Sequence, residues 1–293
     1  MRSGYIAIVG RPNVGKSTLL NRLVGQKISI TSPKPQTTRH RILGISSKPD
    51  AQLVYIDTPG LHRGGKRIMN QVMNRAASGV LDEADVVVFV VEAPVWKEED
   101  EHVLNLLKAT SVPIVLAINK VDRLEDKARL LPYIEELRGR HDFAAMVPIS
   151  AVKGTQVTEL EDVLTGLLPE APALFPEDQV TDRSERFLAA ELVREQLMRK
   201  LGQEVPYAIA VQIENYKEEA GLISIAALIW VEREGHKAIV IGRGGSMLKQ
   251  VGSDARKALE HMLGTKVFLQ LWVKVKENWS DDERALRGLG YEE

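Results

Sequence analysis

The sequence predicts a two-domain α/β protein. A first domain with a mostly parallel sheet occupies residues 1–175, and a smaller α+β domain occupies 176–293. Three observations predict this. Gly10-Arg11-Pro12-Asn13-Val14-Gly15-Lys16-Ser17 fits the phosphate-binding loop, Gly, four residues and Gly-Lys-Ser. Downstream, apolar runs alternate with amphipathic stretches at helical spacing as far as residue 167. A proline-spaced linker, Leu168-Pro169-Glu170-Ala171-Pro172-Ala173-Leu174-Phe175-Pro176, then marks a boundary near residue 175.

Composition bounds the function classes. A chain of 293 residues has room for about two domains. Its 44% hydrophobic and 27% charged content is that of a folded protein. A net charge of −1 announces no nucleic-acid partner, so any such partner needs a local patch. With no cysteine there are no disulfides or thiolate metal sites, as suits the cytosol. No signal peptide is read at the N-terminus, because the first apolar run is short and leads into the phosphate loop. The apolar stretches at 86–91 and 222–231 fall well short of the roughly 20 residues that span a bilayer.

The phosphate loop sits in the context it needs. Residues 5–9 read as a buried strand before it, and residues 18–23 as the first turns of a helix after it. Its glycines let backbone N–H groups turn around phosphate oxygens, with a helix N-terminus behind them. Lys16 can reach the β- and γ-phosphates, and the Ser17 hydroxyl can ligate Mg²⁺. Residues 29–39, with two prolines and many hydroxyls, read as a loop. Residues 41–46 and 52–56 read as two strands around a Lys48-Pro49-Asp50 turn. The second ends at Asp57-Thr58-Pro59-Gly60, where a carboxylate suits a metal-bound water and the Gly60 N–H can meet the γ-phosphate.

The alternation then continues. Ile68, Val72, Met73, Ala76 and Val80 share a helix face, and 84–91 is a continuous apolar strand. Residues 98–107 form a helix, 112–118 a strand, 128–137 a helix, 145–149 a strand and 157–167 a last helix. Ligands of such sheets sit outside the carboxyl ends of the strands, where all the polar motifs lie. Asn119-Lys120-Val121-Asp122 selects the base. Guanine offers N1–H and N2–H₂ side by side, which the Asp122 carboxylate can accept, whereas adenine offers an acceptor at N1 that it would repel. Asn119 braces the loop and approaches the other edge of the base. The Lys120 stem covers one ring face, and in Ser150-Ala151 the Ala151 N–H meets O6.

Gly10 to Ser17, Thr38, Asp57 to Gly60, Asn119 to Asp122 and Ser150-Ala151 resemble the five motifs of translation-factor-type GTPases. The wording Gly-Arg-Pro-Asn-Val-Gly-Lys-Ser, with Gln36-Thr37-Thr38-Arg39-His40-Arg41 and Asp57-Thr58-Pro59-Gly60-Leu61-His62, is similar to the Era family of bacterial GTPases. The resemblance implies a Ras-like fold, GTP and GDP as ligands, and Mg²⁺ held by Ser17, Asp57 and Thr38, with Thr37 as the alternative. It also implies catalytic roles for Lys16, Thr38, Gly60 and Asn13. Leu61 stands where Ras-like GTPases carry the glutamine that orients water, so a slow hydrolase is expected. Two readings of Asn13 stand: it helps hold a potassium ion beside the phosphates, or it only braces the turn. No general base is evident, and phosphoryl transfer hardly requires one.

Beyond the linker, residues 184–201 read as a helix and 207–213 and 222–231 as alternating strands. Ile241-Gly242-Arg243-Gly244-Gly245-Ser246 follows, then a helix bearing Leu248, Val251, Ala255, Leu259 and Met262, then a strand at 267–275. This order resembles a KH RNA-binding domain of the bacterial type. Gly242-Arg243-Gly244-Gly245 would clamp a sugar–phosphate chain, Lys249 with Arg256 and Lys257 would extend the charge, and Ile241 would face unpaired bases. Trp230, Trp272 and Trp279 read as core or anchoring residues, and His40 and His62 as solvated loop residues. The C-terminal stretch from Glu277 again resembles the Era family. That resemblance implies the 3′ end of 16S ribosomal RNA and the small (30S) subunit as partners in a monomer. The location it implies is cytoplasmic, with peripheral association at the inner membrane face. A second reading is a membrane-face signalling GTPase whose C-terminal domain binds protein; a basic amphipathic helix would support it, and only Lys249, Arg256 and Lys257 are present.

Overall fold

The computed structural model describes residues 1–60, 68–202 and 204–289. These divide into two compact units. The first takes residues 1–29, 38–60 and 73–182, and the second takes the rest.

In the first unit the chain runs β1 (Arg2–Val9), α1 (Lys16–Val24), β2 (Ile42–Lys48), β3 (Ala51–Asp57), α2 (Ile68–Glu83, which joins this unit from Met73), β4 (Val86–Glu92) and α3 (Glu98–Leu107). It continues β5 (Ile114–Asn119), α4 (Leu130–Arg138), β6 (Ala145–Pro148) and α5 (Val157–Leu167). The sheet order is β2-β3-β1-β4-β5-β6. Only β2 runs antiparallel, as the hairpin partner of β3. Every residue from Val86 to Val91 is buried, because both faces of the sheet are covered; this is why β4 is continuously apolar rather than alternating. Strand order reverses between β1 and β4, and the loops diverging there open the crevice in which such sheets take ligands. Asp57, Glu92 and Asn119 end β3, β4 and β5 at the same edge.

The proline-spaced linker packs on the first unit instead of hanging free. The Gln52 side chain accepts from the backbone N–H groups of Leu174 and Phe175 at 2.7 and 2.9 Å. Ile45 donates to the Val180 carbonyl at 2.9 Å, so the chain stays with this unit as far as Asp182.

The second unit holds α6 (Glu185–Lys200), β7 (Ile209–Glu219), β8 (Leu222–Val231), α7 (Glu234–Ile241), α8 (Ser246–Leu263), β9 (Lys266–Val275) and α9 (Glu283–Gly288). Ser184 caps α6 by accepting from the Phe187 N–H. β8 is central, antiparallel to β7 and parallel to β9, with a bulge at Ile213/Asn215. Ile209, Ile225, Ile229 and Val267 turn to one face, against Val193 and Leu197 of α6 and Val251, Ala255 and Leu259 of α8. Helix α7 has no counterpart in the sequence reading, because its Ile239-Val240-Ile241 run is β-branched; burial of Val240 overrides that propensity. Residues 205–208 form a 3₁₀ turn around Pro206, so the strand read from 207 begins at Ile209.

Candidate nucleotide site and nucleic-acid groove

Glycine is required at the phosphate loop by close approach. A Cβ on Gly10, at φ +150°, would lie 2.4 Å from the Val90 carbonyl oxygen. One on Gly15, at φ +106°, would lie 2.3 Å from Asn119 Nδ2. Lys16 is buried and donates from Nζ to the carbonyls of Gly10 and Arg11 at 2.9 and 3.1 Å. Burial lowers its pKa to about 8, with Asp57 opposing the shift and Arg11 adding to it. The lysine therefore lies along the loop interior, its ammonium held by carbonyls where phosphate oxygens would be a stronger partner.

Behind the loop lies an oxygen cluster. Ser17 Oγ donates to Asp57 Oδ2 at 2.7 Å and stands 2.7 Å from Thr38 Oγ1. Thr38 Oγ1 is 3.5 Å from the same carboxylate oxygen, and Ser29 Oγ donates to it at 3.1 Å. Thr37 Oγ1 instead bonds Ser32 Oγ and the Lys34 carbonyl. Asp57 is fully buried, and its Oδ1 has no hydrogen-bond partner among the described residues. Burial raises its pKa, while Lys16 and the three hydroxyls pull the other way. An orphaned carboxylate oxygen beside two hydroxyls is a donor set that fits a hard divalent cation. The Thr58 hydroxyl donates to Ile8 at 3.4 Å, and a Cβ on Gly60 would meet Pro12 at 3.0 Å, so this turn lies against the phosphate loop. Leu61 and His62 lie outside the described residues. His40, read as solvated, is buried where the loop enters β2.

The base-facing motif is braced from three sides. Asn119 donates from Nδ2 to the Val14 carbonyl at 2.8 Å and accepts from the Ala151 N–H at 3.0 Å. That N–H, which the sequence assigns to the guanine O6, is thus engaged with Asn119 here. Lys120 donates to the Asn13 carbonyl at 2.7 Å and pairs with Glu92 at 2.9 Å. Asp122 is exposed and accepts from Ser150 Oγ at 2.5 Å, which aims the carboxylate. Asn13 takes the left-handed conformation, φ 63°, at the exposed tip of the loop.

Sequence reasoning missed the supports. The Arg11 guanidinium is buried, 3.1 Å from both Glu92 and Asp100. Glu92 thereby ties Arg11 to Lys120. Burial pushes its carboxyl up, but the hydrogen bonds and charges of Lys120 and Arg11 outweigh burial and hold it below the usual range. The signal for Glu92 was its place at the carboxyl end of an apolar strand; Asp100, within a run of acids, gave none. Asn21 is also unannounced, its side chain holding Ile28 and Ser29 beneath the cluster.

In the second unit, Gly242, Gly244 and Gly245 all have positive φ and link α7 to α8. A Cβ on Gly242 would lie 2.7 Å from that of Met247, whereas one on Gly244 meets nothing within 4 Å. Arg243 and Gly244 are exposed at the tip, and Ile241 is half-buried at the end of α7. Beside this loop runs a groove lined by Leu248, Lys249, Gly252, Arg256, Leu269 and Leu271.

Comparison with known proteins agrees with both halves. Residues 5–120 match the family described as 50S ribosome-binding GTPase, and residues 204–280 match the KH domain. The chain is 57% identical to GTPase Era of Xanthomonas oryzae pv. oryzae, over 99% of this chain and 97% of the relative. It is 56% identical to GTPase Era of Stenotrophomonas maltophilia over the same shares. This chain belongs to the Era family. Two solved structures are similar throughout: a variant of Aquifex aeolicus Era bound to GDP.AlF4-, and Era in complex with MgGDPNP and nucleotides 1506-1542 of 16S ribosomal RNA. Each has a TM-score of 0.95 at 43% identity, covering 99% of both chains. As an Era-family protein the chain is a GTP hydrolase with a C-terminal KH domain. No described helix is long and apolar enough to cross a membrane.

One feature of this Era-family chain is invisible to motif reading. Residues 30–37 belong to the second unit. Ile30 is buried with Ala189 and Leu192. Glu195 Oε1 accepts from the Thr31 N–H at 3.0 Å, and Arg194 donates to the Thr37 carbonyl at 2.6 Å. Lys34 reaches the Leu201 carbonyl.

Proposed function

We propose that this GTPase binds the 3′ end of 16S ribosomal RNA in its KH groove and acts as a checkpoint in assembly of the small (30S) ribosomal subunit. The groove beside Gly242-Arg243-Gly244-Gly245 carries this reading: glycines at positive φ admit a sugar–phosphate chain, and Lys249 and Arg256 supply cations along the wall. The solved Era complex with 16S nucleotides supports the same RNA for this chain.

At the nucleotide site, Gly10, Asn13 and Gly15 wrap the phosphates with backbone N–H groups, and Lys16 holds the β- and γ-phosphates. Ser17, Thr38 and Asp57 would hold Mg²⁺, whose charge would stabilise negative charge on the phosphates. The Thr38 hydroxyl is in the Ser17–Asp57 cluster and that of Thr37 is not, which favours Thr38. The Gly60 N–H meets the γ-phosphate. Asp122 reads guanine, with Asn119, Lys120, Ser150 and Ala151 shaping the pocket. A potassium ion near Asn13 would supply further positive charge.

The test is crosslinking of the full chain to cellular RNA, with sequencing of the footprint. Reads concentrated at the 3′ end of 16S ribosomal RNA are expected. A footprint spread over unrelated RNAs, or none, would overturn the RNA target while leaving GTP hydrolysis intact.

A further inference from the structure

The sheet of the second unit has two faces, and the groove uses only one. Helices α6 and α8 cover the first face, packing on Ile225, Ile229 and Val267. Alternation sends the remaining side chains to the other. The register gives its rows: Phe268 beside Ser224 and Lys217, Gln270 beside Ala226 and Asn215, Trp272 beside Leu228 and Gln212, and Lys274 beside Trp230 and Ala210. Trp272 is 44% exposed and Phe268 is 51% exposed, contrary to the sequence reading of Trp272 as a core or anchoring residue. Trp230 is half-buried, oriented by its N–H donation to Gln212 at 3.0 Å, with the Lys276 ammonium 5.5 Å above its ring.

Two observations say what would cover this face. The first is charge. Lys217, Lys266 and Lys274 surround the aromatic rings, with Lys276 on Trp230, against Glu219 at the far end of β7 and Glu214, which stands 4.0 Å from Lys274. Aromatic rings interleaved with lysines and carboxamides match unpaired bases on a phosphate chain. The second is continuity. β9 is the edge strand; its Leu269 and Leu271 line the groove beside α8, while Phe268, Gln270 and Trp272 alternate to the opposite face. A strand leaving the groove across this edge arrives on the rings.

We propose that the open face of β7-β8-β9 is a second single-stranded RNA surface, on which Phe268, Trp272 and Trp230 stack bases beyond those in the groove and Lys266, Lys274 and Lys276 meet their phosphates. The inference rests on the reading of the groove as an RNA site.

The experiment uses the full chain and RNA of 16S nucleotides 1506-1542, the piece in the solved Era complex. Its comparison probe is the shortest fragment of that RNA the parent chain still binds, near the four nucleotides or so that a KH groove clamps. The variants are Trp272→Ala, the pair Phe268→Ala with Trp272→Ala, Trp272→Phe, and Gly244→Asp as a groove control. Thermal melts first establish that each is folded. Base stacking predicts a loss of about 5- to 150-fold in affinity for the long RNA per alanine. The minimal fragment should bind the alanine variants as it binds the parent, and Trp272→Phe should keep most of the long-RNA affinity. Long RNA should quench tryptophan fluorescence that the minimal fragment leaves unchanged.

Unchanged long-RNA affinity in the paired variant, or an equal loss for both lengths, overturns the second surface. A loss seen with isolated small ribosomal subunits but not with naked RNA also overturns it, in favour of a protein partner. If Gly244→Asp removes binding of both RNAs while the paired variant changes neither, the groove reading survives and this inference does not. If the parent binds no RNA, both fall.

Discussion

At the residue scale, the candidate nucleotide site pairs exposed side chains with buried ones that brace them. Asp122 is exposed and aimed by Ser150, so its substitution should change recognition without unfolding the chain. Asp122→Asn replaces a carboxylate oxygen with an amide donor, which suits the carbonyl of xanthine better than the amino group of guanine. Losing a hydrogen bond to a charged group costs about 1.5–3 kcal/mol, so GTP affinity should fall roughly 10- to 150-fold. Xanthosine triphosphate affinity should rise in the same competition assay; equal competition by ATP in the parent would refute the guanine assignment. Asn119 is the opposite case. It joins the phosphate loop to the Ala151 loop from a buried position, and Asn119→Ala would orphan the Val14 carbonyl and the Ala151 N–H. Each orphaned buried group costs about 1–3 kcal/mol, which should appear as a lower denaturation midpoint alongside weakened nucleotide binding. An unshifted midpoint would mean that water replaces the amide freely. Asn13 is tested by salt: turnover should be higher in potassium than in sodium at equal ionic strength, and Asn13→Ala should remove the difference. Equal rates in both salts reject the potassium reading and leave only the brace.

At the scale of elements, both functional loops join a sheet or helix to a helix N-terminus through glycines at positive φ, but their tolerances differ. Gly10 and Gly15 are hemmed in by the Val90 carbonyl and the Asn119 amide, so a side chain there strains the fold itself. Gly244 has open space around it and φ +57°, a left-handed conformation that aspartate tolerates better than most residues. Gly244→Asp should therefore melt close to the parent while placing a negative charge where RNA phosphates pass. RNA affinity should drop at least about tenfold, a cost of about 1.4 kcal/mol. Undiminished RNA binding would reject the loop as a clamp.

At the scale of the molecule, residues 30–37 belong to the second unit, while Thr38 stands in the Ser17–Asp57 cluster of the first. The last residue of one set is bonded to the first of the other. If nucleotide state alters how Thr38 is held, the peptide bond to Thr37 carries the change toward α6, where Glu195 and Arg194 hold the preceding segment. RNA affinity should then differ between the GDP state and a state with a non-hydrolysable GTP analogue. Such couplings are typically about 1–3 kcal/mol, or roughly 5- to 150-fold, and RNA must change analogue affinity by the same factor. Titration of RNA in both nucleotide states checks this; identical affinities would reject the coupling.

What the sequence determined by itself was whatever depends on local chain chemistry. The phosphate loop, the Asp57 turn, the Asn119 to Asp122 motif and the glycine loop each need particular residues at fixed spacing, and spacing is written in the chain. Continuous apolar strands and amphipathic helices were legible for the same reason: α3 spans the residues its periodicity gave. Tertiary structure decided what depends on residues far apart in sequence. Arg11 reads as part of a phosphate loop, and only folding brings Glu92 and Asp100 to its guanidinium, giving that side chain a bracing role that loop spacing does not announce. Thr37 and Thr38 are adjacent in sequence, and folding places the Thr38 hydroxyl beside that of Ser17 while the Thr37 hydroxyl bonds Ser32. Helix α7 overrides a β-branched run because Val240 finds a core to enter. Trp279 and Trp272 are the same residue type a few positions apart, yet one is fully buried with its N–H on Ala208 and the other faces outward from an edge strand. Burial is set by which surfaces meet, and a tryptophan's neighbours in sequence do not record which surfaces those are.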